Sequence, residues 1–274
     1  MNCRDIDGML VETSMAPPFS TEVEDHLRGC ARCRELVRAL GTSAPADQPL
    51  PAALRQIESG IVADLHPVQP MPPGRYIFAA LAAIFACVVA VGVYRLGAFA
   101  LAVMSPLQAG VIWGTLAICA ALLGYSLVQQ MAPGSRHWIS PRLLPIGITV
   151  TLALAIAVVF PFQQEWNFGA RDWACIRTGV SLGVIAAVPF WLVLRRGANL
   201  SPAMTGAASG LLAGLVGTSA LEIHCPNLDA WHILVAHLGV AVLGATVGFF
   251  AGMVVGARNI RAVWSSIQRA GKEV

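Results

Sequence analysis

Charged residues are scarce in this chain, and their scarcity narrows the kind of protein it can be. Only 12% of the 274 residues are Asp, Glu, Lys or Arg, whereas 56% are hydrophobic. Because soluble domains carry about 25% charged residues, we expect most of the chain to lie in a lipid bilayer. A signal peptide is also missing, since the first strongly apolar stretch begins only near Tyr76. The sequence therefore predicts a membrane protein whose N-terminus stays in the cytoplasm.

The motifs of common catalytic sites are absent as well. The sequence contains no nucleophile elbow, no H-E-x-x-H motif and no phosphate-binding loop. Ionisable residues are almost missing from the middle of the apolar stretches, where a transporter usually needs some. These absences argue against an enzyme and make a transporter or channel less favoured than a regulator.

The charge that is present is divided unevenly along the chain. Residues 1–74 carry six Arg against ten Asp and Glu, a net charge of −4, and residues 75–274 have a net charge of +7. An acidic N-terminal segment suits a basic protein partner better than nucleic acid, which selects Lys- and Arg-rich surfaces. We divide the chain into a cytosolic head over 1–65, a proline-rich linker over 66–74, a transmembrane domain over 75–257 and a cytosolic tail over 258–274.

The head contains a pattern of soft metal ligands. His26, Cys30 and Cys33 have the spacing H-x3-C-x2-C, and Cys3 lies upstream. A helix is predicted over 21–41, and positions i, i+4 and i+7 of a helix share one face. The three side chains therefore converge, and Cys3 can complete a tetrahedral Zn²⁺ site from a preceding short helix. Four protein ligands leave no position for a substrate, so we expect this zinc to be structural.

A structural metal suits so small a head, because domains below about 70–80 residues rarely bury enough core to fold without one. Two other interpretations stay open: these residues are ordinary helix residues, or their thiols form a redox switch without metal. With Leu27 and Leu36 around the four ligands, the motif resembles the zinc-binding anti-sigma domain. That resemblance implies a helical head that binds a sigma factor and keeps it from RNA polymerase.

The remainder of the chain holds six apolar stretches, each close to the roughly 20 residues needed to span a bilayer. If the head is cytosolic, nine Arg or Lys residues fall on the inner side, and only Arg95 and Arg171 fall outside. This asymmetry predicts six spans with both termini in the cytoplasm, and the resemblance to anti-sigma proteins implies that the membrane is the bacterial inner membrane. The fold class is thus all-α, with a small zinc-stapled domain and a six-helix transmembrane bundle. The predicted spans are 76–94, 108–128, 143–162, 174–194, 203–222 and 233–256.

Small residues form a stripe on each of the last two predicted spans. Such G-x3-G-x3-G faces let helices approach closely. We expect them to pack against other helices of the same bundle, and a homodimer through these faces is the alternative. The glycines are Gly206, Gly210 and Gly214 in the fifth span, and Gly244, Gly248 and Gly252 in the sixth.

Two cysteines lie at the outer ends of predicted spans, Cys175 in the fourth span and Cys225 after the fifth. On the outer side they can form a disulfide or bind a soft metal, together with His224 and with His232 as a further ligand. Alternatively, both cysteines are small apolar residues that only fill space. The sequence alone leaves these three interpretations open.

Other polar residues in the predicted spans have simpler interpretations. Arg177 and Glu222 share one depth in the bilayer and are predicted to form an ion pair. His237 is interpreted as a buried histidine with satisfied hydrogen bonds and not as a ligand. Cys87 and Cys119 lie in mid-span and are expected to be packing residues.

The second half of the chain resembles the NrsF-type family, six-span negative regulators of extracytoplasmic-function sigma factors. The resemblance covers roughly 75–256 and depends on the motifs at 173–175, 194–198 and 224–226, followed by a glycine-rich last span. In that family, paired outer cysteines are implicated in sensing redox-active or heavy-metal stress. By resemblance, the two outer cysteines have this role here.

Together, the two resemblances predict a membrane-anchored anti-sigma factor. It sequesters an extracytoplasmic-function sigma factor and releases it on an envelope signal, redox or heavy-metal, that the transmembrane domain senses. The expected partners are a sigma factor and the lipid bilayer, with no direct contact to nucleic acid. The alternative is a six-span transporter or channel with a regulatory zinc-binding head.

Overall fold

The computed structural model describes residues 2–3, 5–6, 20–41, 59–60, 72–131, 140–195, 197 and 201–270. These residues form helices and turns without any β-strand, which confirms the all-α prediction. The chain divides into two compact units, Met1–Gln69 and Pro70–Val274. Most of the predicted proline-rich linker, at 66–71, and the end of the predicted tail, at 271–274, lie outside the described residues.

The head is built from short helices, and its predicted long helix is broken in the middle. The structure contains α1 (Thr21–Gly29) and α2 (Ala31–Gly41). Cys30 between them is extended, with φ −115° and ψ 105°. The prediction of one continuous helix is therefore wrong at this point. Gly29 explains the break in part, because glycine is about 1 kcal/mol less favourable than alanine in a helix.

A side chain from α2 holds the end of α1. The guanidinium Nη1 of Arg34 donates to the backbone carbonyl of Arg28 at 3.1 Å and to that of Leu27 at 3.4 Å. These carbonyls belong to the last turn of α1, where a helix has no partners of its own for them. The break at Cys30 is thus a stabilised turn between two helices.

In the part of the second unit that the structure describes, six apolar helices follow one another along the chain and form a bundle. A 3₁₀ turn, Phe99–Ala102, lies between the first two. The first five helices are α3 (Gly74–Leu96), α4 (Pro106–Met131), α5 (Leu144–Val159), α6 (Ala170–Leu194) and α7 (Pro202–His224). The last helix, α8, begins as Ala230–His232, passes through a π-helical stretch at Ile233–Leu238 and continues as Gly239–Ala270.

Five of these helices are long and apolar enough to cross a membrane, and α5 is shorter. Its 16 residues span about 24 Å, against a hydrocarbon core of about 30 Å. The prediction of six full-length spans is corrected accordingly. The helix ends early because Phe160 precedes Pro161, and a residue before proline is disfavoured in the α conformation. Phe160 is extended, with φ −108° and ψ 144°.

The short helix nevertheless reaches the same end of the bundle as its neighbours. The Val159 carbonyl at the end of α5 accepts a hydrogen bond of 3.2 Å from Gln108 Nε2 at the start of α4. The Pro161 carbonyl accepts a hydrogen bond of 2.9 Å from the backbone N–H of Ala230 at the start of α8. Helix α5 therefore runs through the bundle in alternation with its neighbours.

Helix α7 is the centre of the bundle, since 78% of its apolar stretch is buried, against 17–33% in the other four long helices. It packs most extensively against α8, and the small-residue faces make this contact. A Cβ atom built on Gly210 would fall on the carbonyl of Gly244, and one on Gly248 would fall on the carbonyl of Gly206. Both faces are thus occupied within one chain, as expected for intramolecular packing, and neither is open for a homodimer.

Candidate metal sites

The four predicted ligands of the head lie together in the structure. The ligand atoms of Cys3, His26, Cys30 and Cys33, which we call the head quartet, are all within 4.8 Å of one another. Cys3 Sγ is 3.7 Å from His26 Nε2 and 3.7 Å from Cys30 Sγ. A tetrahedral zinc ion with Zn–S of about 2.3 Å and Zn–N of about 2.05 Å places ligand atoms about 3.6–3.8 Å apart. The head quartet can therefore hold a metal ion.

The quartet draws its residues from the N-terminal helical residues, from α1, from α2 and from the break between them. Cys3 lies in the N-terminal helical residues, His26 on α1, Cys30 at the break and Cys33 on α2. The break does not separate the ligands, because the Cys30 N–H still donates to the His26 carbonyl at 2.9 Å. The thiols are also part of the small core. Among the described head residues, the fully buried apolar side chains are Ile6, Val23 and Cys33.

The pKa values of two head thiols, Cys30 and Cys33, are shifted in opposite directions. A hydrogen bond from the Cys33 backbone N–H, assisted by the thiols of Cys33 and Cys3, lowers the pKa of Cys30 to about 7. Burial, with the neighbouring thiols of Cys3 and Cys30, raises the pKa of Cys33 to about 12. Metal binding requires thiolates and releases their protons. Of Cys30 and Cys33, Cys30 is therefore the thiol that more readily supplies a thiolate to a metal near neutral pH.

A second cluster lies at one end of the bundle. The ligand atoms of Cys175, Cys225, His232 and His237, which we call the bundle quartet, are also within 4.8 Å of one another, and all four residues are buried. Cys175 Sγ lies 3.8 Å from Cys225 Sγ, and Cys225 Sγ lies 3.4 Å from His232 Nε2. The structure thus brings the two outer cysteines together, and this cluster too can hold a metal ion.

The π-helical stretch of α8 explains how two histidines five residues apart reach one point. On an α-helix, five residues turn a side chain by about 500°, which leaves it about 140° away from the first. A π-helix bonds residue i to residue i+5 and so has more residues per turn. His232 and His237 consequently share a face, with ring centroids 5.0 Å apart. A spacing of five residues gives no sign of this convergence in an ordinary α-helix, and the interpretation of His237 as a buried histidine outside any ligand set is corrected here.

His224 lies outside the bundle quartet. Its Nδ1 is 3.2 Å from the carbonyl oxygen of Gly97, and its ring packs against Phe99 with centroids 5.6 Å apart. It does line a cavity of about 700 Å³ that also reaches Cys175 and Cys225. His224 therefore lies beside a cavity that leads to the cluster. The second histidine of the cluster is His237, in the place that the sequence had predicted for His224.

The predicted ion pair between Arg177 and Glu222 does not form in the structure. Glu222 is 1% exposed and places Oε1 at 2.9 Å from Nδ1 of His237, whereas Arg177 lies on the exposed side of α6. Equal depth in the bilayer does not determine which way a side chain points around its helix. The prediction is corrected to a pair between Glu222 and His237.

Asp172 makes the same kind of contact with the other histidine. Its Oδ1 is 2.7 Å from Nδ1 of His232, and its Oδ2 accepts a hydrogen bond of 2.8 Å from the N–H of Gly169. A signal for both carboxylates is present in the sequence. Asp172 precedes Cys175 by three residues, and Glu222 precedes Cys225 by three residues. This acid-x2-Cys repeat places each acid about one helical turn before its cysteine, Asp172 on α6 and Glu222 at the end of α7.

The described residues define an all-helical membrane protein with two Cys/His clusters that can each hold a metal ion. Residues 61–261 match the profile of the family described as "NrsF: Negative regulator of sigma F". Because this match covers well over half of the chain, the protein belongs to the NrsF family. The resemblance seen in the sequence is thereby confirmed. The head quartet precedes the matched range and is consistent with it.

One curated relative matches over part of the chain. It is the probable anti-sigma-F factor NrsF of Azospira oryzae, 27% identical over 134 residues, which are 47% of this chain and 62% of the relative. The match thus spans less than two thirds of that relative's own length. No solved structure matches the chain.

Proposed function

We propose that this protein is a membrane-anchored anti-sigma factor whose head sequesters an extracytoplasmic-function sigma factor. The observation that carries the proposal is membership of a family of negative regulators of a sigma factor, together with a head whose four soft ligands lie within 4.8 Å of one another. Sequestration requires binding and no bond-making chemistry. The protein is accordingly a regulator and not an enzyme.

Zn²⁺ is the ion we assign to the head quartet. Three thiolates and one imidazole are a usual ligand set for structural zinc, and four protein ligands close the coordination sphere. When bound, the ion cross-links the N-terminal helical residues, α1 and α2, which share a core of few side chains. The head residues themselves supply the partner surface. Exposed acids at the start of α1 suit a basic partner, and they are Glu22, Glu24 and Asp25.

The proposed location is the bacterial inner membrane, with both termini in the cytoplasm. The excess of Arg and Lys on the inner side supports this orientation. An even number of crossings puts both termini on one side, and α5 supports that number because it reaches the same end of the bundle as the starts of α4 and α8. In this orientation the bundle quartet lies at the end of the bundle that is on the outer side of the inner membrane.

Signal reception is assigned to the bundle, with Cys175 and Cys225 as the sensing residues and a redox or heavy-metal stress as the signal. Their buried thiols are 3.8 Å apart and border the cavity that His224 lines. A transporter has less support, because a transport path needs ionisable groups along its length. The buried acidic and histidine side chains of the described bundle all lie at one end, and they are Asp172, Glu222, Asp229, His232 and His237.

The test of the proposed function is co-purification with the full-length chain in mild detergent. We expect a sigma factor to be recovered with the wild type and to be lost with His26→Ala, because the head cannot then complete its quartet. Cys87→Ala is the matched control, since Cys87 is exposed on α3 and should retain the partner. Bound proteins are identified by mass spectrometry. A folded, zinc-loaded wild type that recovers no sigma factor contradicts the proposal.

The sensing role is tested separately in cells. A double variant, Cys175→Ser with Cys225→Ser, should still repress a sigma-dependent reporter, because the head is unchanged. It should lose induction by an oxidant or a thiophilic metal salt. Reporter activity with and without the stress measures both properties. Normal induction of the double variant would remove these cysteines from the mechanism.

A further inference from the structure

Two of the ligand distances in the bundle quartet match those of a tetrahedral metal site. The distance of 3.8 Å between the two sulfurs equals the roughly 3.8 Å expected for two thiolates on one zinc ion. The distance of 3.4 Å from Cys225 Sγ to His232 Nε2 is close to the roughly 3.6 Å expected for a thiolate and an imidazole. The head quartet, at 3.7 Å, has similar spacing.

Both histidines of the quartet are oriented as metal ligands usually are. A carboxylate can only accept a hydrogen bond, so the contacts with Asp172 and Glu222 assign the proton of each imidazole to Nδ1. A neutral imidazole with its proton on Nδ1 presents the lone pair of Nε2 to the centre of the cluster. Carboxylates that hold ligating histidines in this way orient the ring and strengthen the ligand.

One ligand atom of the cluster is left without a hydrogen bond in the part of the chain that the structure describes. His237 Nε2 is buried and has no hydrogen-bond partner among the described residues. A disulfide between the two cysteines would consume both thiols and leave this nitrogen unpaired. A protonated His237 paired with Glu222 would leave a buried N–H without an acceptor, which costs free energy. A metal ion satisfies all four ligand atoms at once.

We propose that the bundle quartet holds a resident Zn²⁺ ion, with Asp172 and Glu222 orienting the two histidines. Two thiolates and two neutral imidazoles are a soft ligand set, and such nitrogen and sulfur ligands select Zn²⁺ over Mg²⁺ or Ca²⁺. The two thiolates also balance the charge of the ion in a buried place. The cavity beside Cys175 and Cys225, which polar residues such as Gln163 and Asn227 line, provides an entry path. The site is separate from the head quartet and stands independently of the sigma-factor partner.

The test measures zinc in the full-length protein, purified in detergent under reducing conditions, loaded with Zn²⁺ and freed of excess ion. By elemental mass spectrometry, the wild type should hold one more Zn²⁺ per chain than Cys225→Ser. This difference reports on the bundle quartet alone, because the substitution leaves the head unchanged. Cys119→Ser is the matched control, since Cys119 is another buried bundle cysteine outside both quartets. It should hold as much zinc as the wild type.

Substitution of an orienting carboxylate gives a second, graded result. Glu222→Gln keeps the size of the side chain and removes its charge, and we expect zinc to bind the bundle quartet about 10- to 100-fold more weakly.

Equal zinc content in the wild type and Cys225→Ser overturns the proposal. If Cys225→Ser fails to fold, maleimide labelling of the wild type decides: added Zn²⁺ must protect Cys175 and Cys225. Unprotected thiols, or a disulfide between them that persists in the zinc-loaded protein, also overturn it.

Discussion

Removal of the metal from the head should unfold the head and leave the bundle intact. The described core of this unit contains few buried side chains, and one of them, Cys33, is itself a ligand. In a domain of this size, the binding free energy of a structural zinc ion is folding free energy. We expect Cys33→Ala, or chelation of zinc from the wild type, to increase protease cleavage within 20–41 on the order of 100-fold. Time-resolved limited proteolysis of the full-length protein measures this.

Two comparisons separate loss of the metal from loss of the core. His26 is only partly buried and lies outside the apolar core, so His26→Ala removes a ligand with little change in packing. It should unfold the head nearly as completely as Cys33→Ala. Glu35→Ala, at an exposed position of α2, should be cleaved at the wild-type rate. A head that resists protease equally well in His26→Ala would show that it folds without metal.

The clustering of three head residues could be predicted from sequence because their spacing is local. The spacing of His26, Cys30 and Cys33 puts them within two turns of each other, whether the helix is continuous or broken at Cys30. The break itself depends on Arg34 reaching back to α1, and such a tertiary contact is not visible in the sequence. The proximity of these residues thus follows from their spacing, even though the helix expected to carry them is broken.

The bundle quartet was predicted only in part, for a related reason. Depth in the bilayer follows from position along a span, so Cys175 and Cys225 could be placed at one level. The direction in which a side chain points around its helix axis depends on packing and on the π-helical stretch. For this reason Glu222 contacts His237 and not Arg177. The two acids that precede the cysteines by three residues carried this information, since that spacing survives in any α-helix.

Substitution of one glycine at the centre of the bundle should separate α7 from α8. The backbones of these helices touch at Gly210 and Gly244, where an added Cβ would fall on a carbonyl oxygen. A backbone carbonyl cannot move aside as a flexible side chain can, so we expect Gly210→Leu to exceed the usual overpacking cost of about 1–3 kcal/mol. Thermal unfolding of the purified protein in detergent, followed by tryptophan fluorescence, should show a much lower midpoint.

The matched control is Gly114→Leu on α4, where an added Cβ meets no atom within 4 Å. Both substitutions add the same apolar side chain, so poorer membrane insertion cannot explain a difference between them. The bundle quartet gives an independent readout, because Cys225 follows α7 and both histidines belong to α8. If the two helices separate, Gly210→Leu should lose the zinc of the bundle quartet and Gly114→Leu should retain it. Equal midpoints for the two variants would mean that the glycine contact between α7 and α8 does not hold the bundle together.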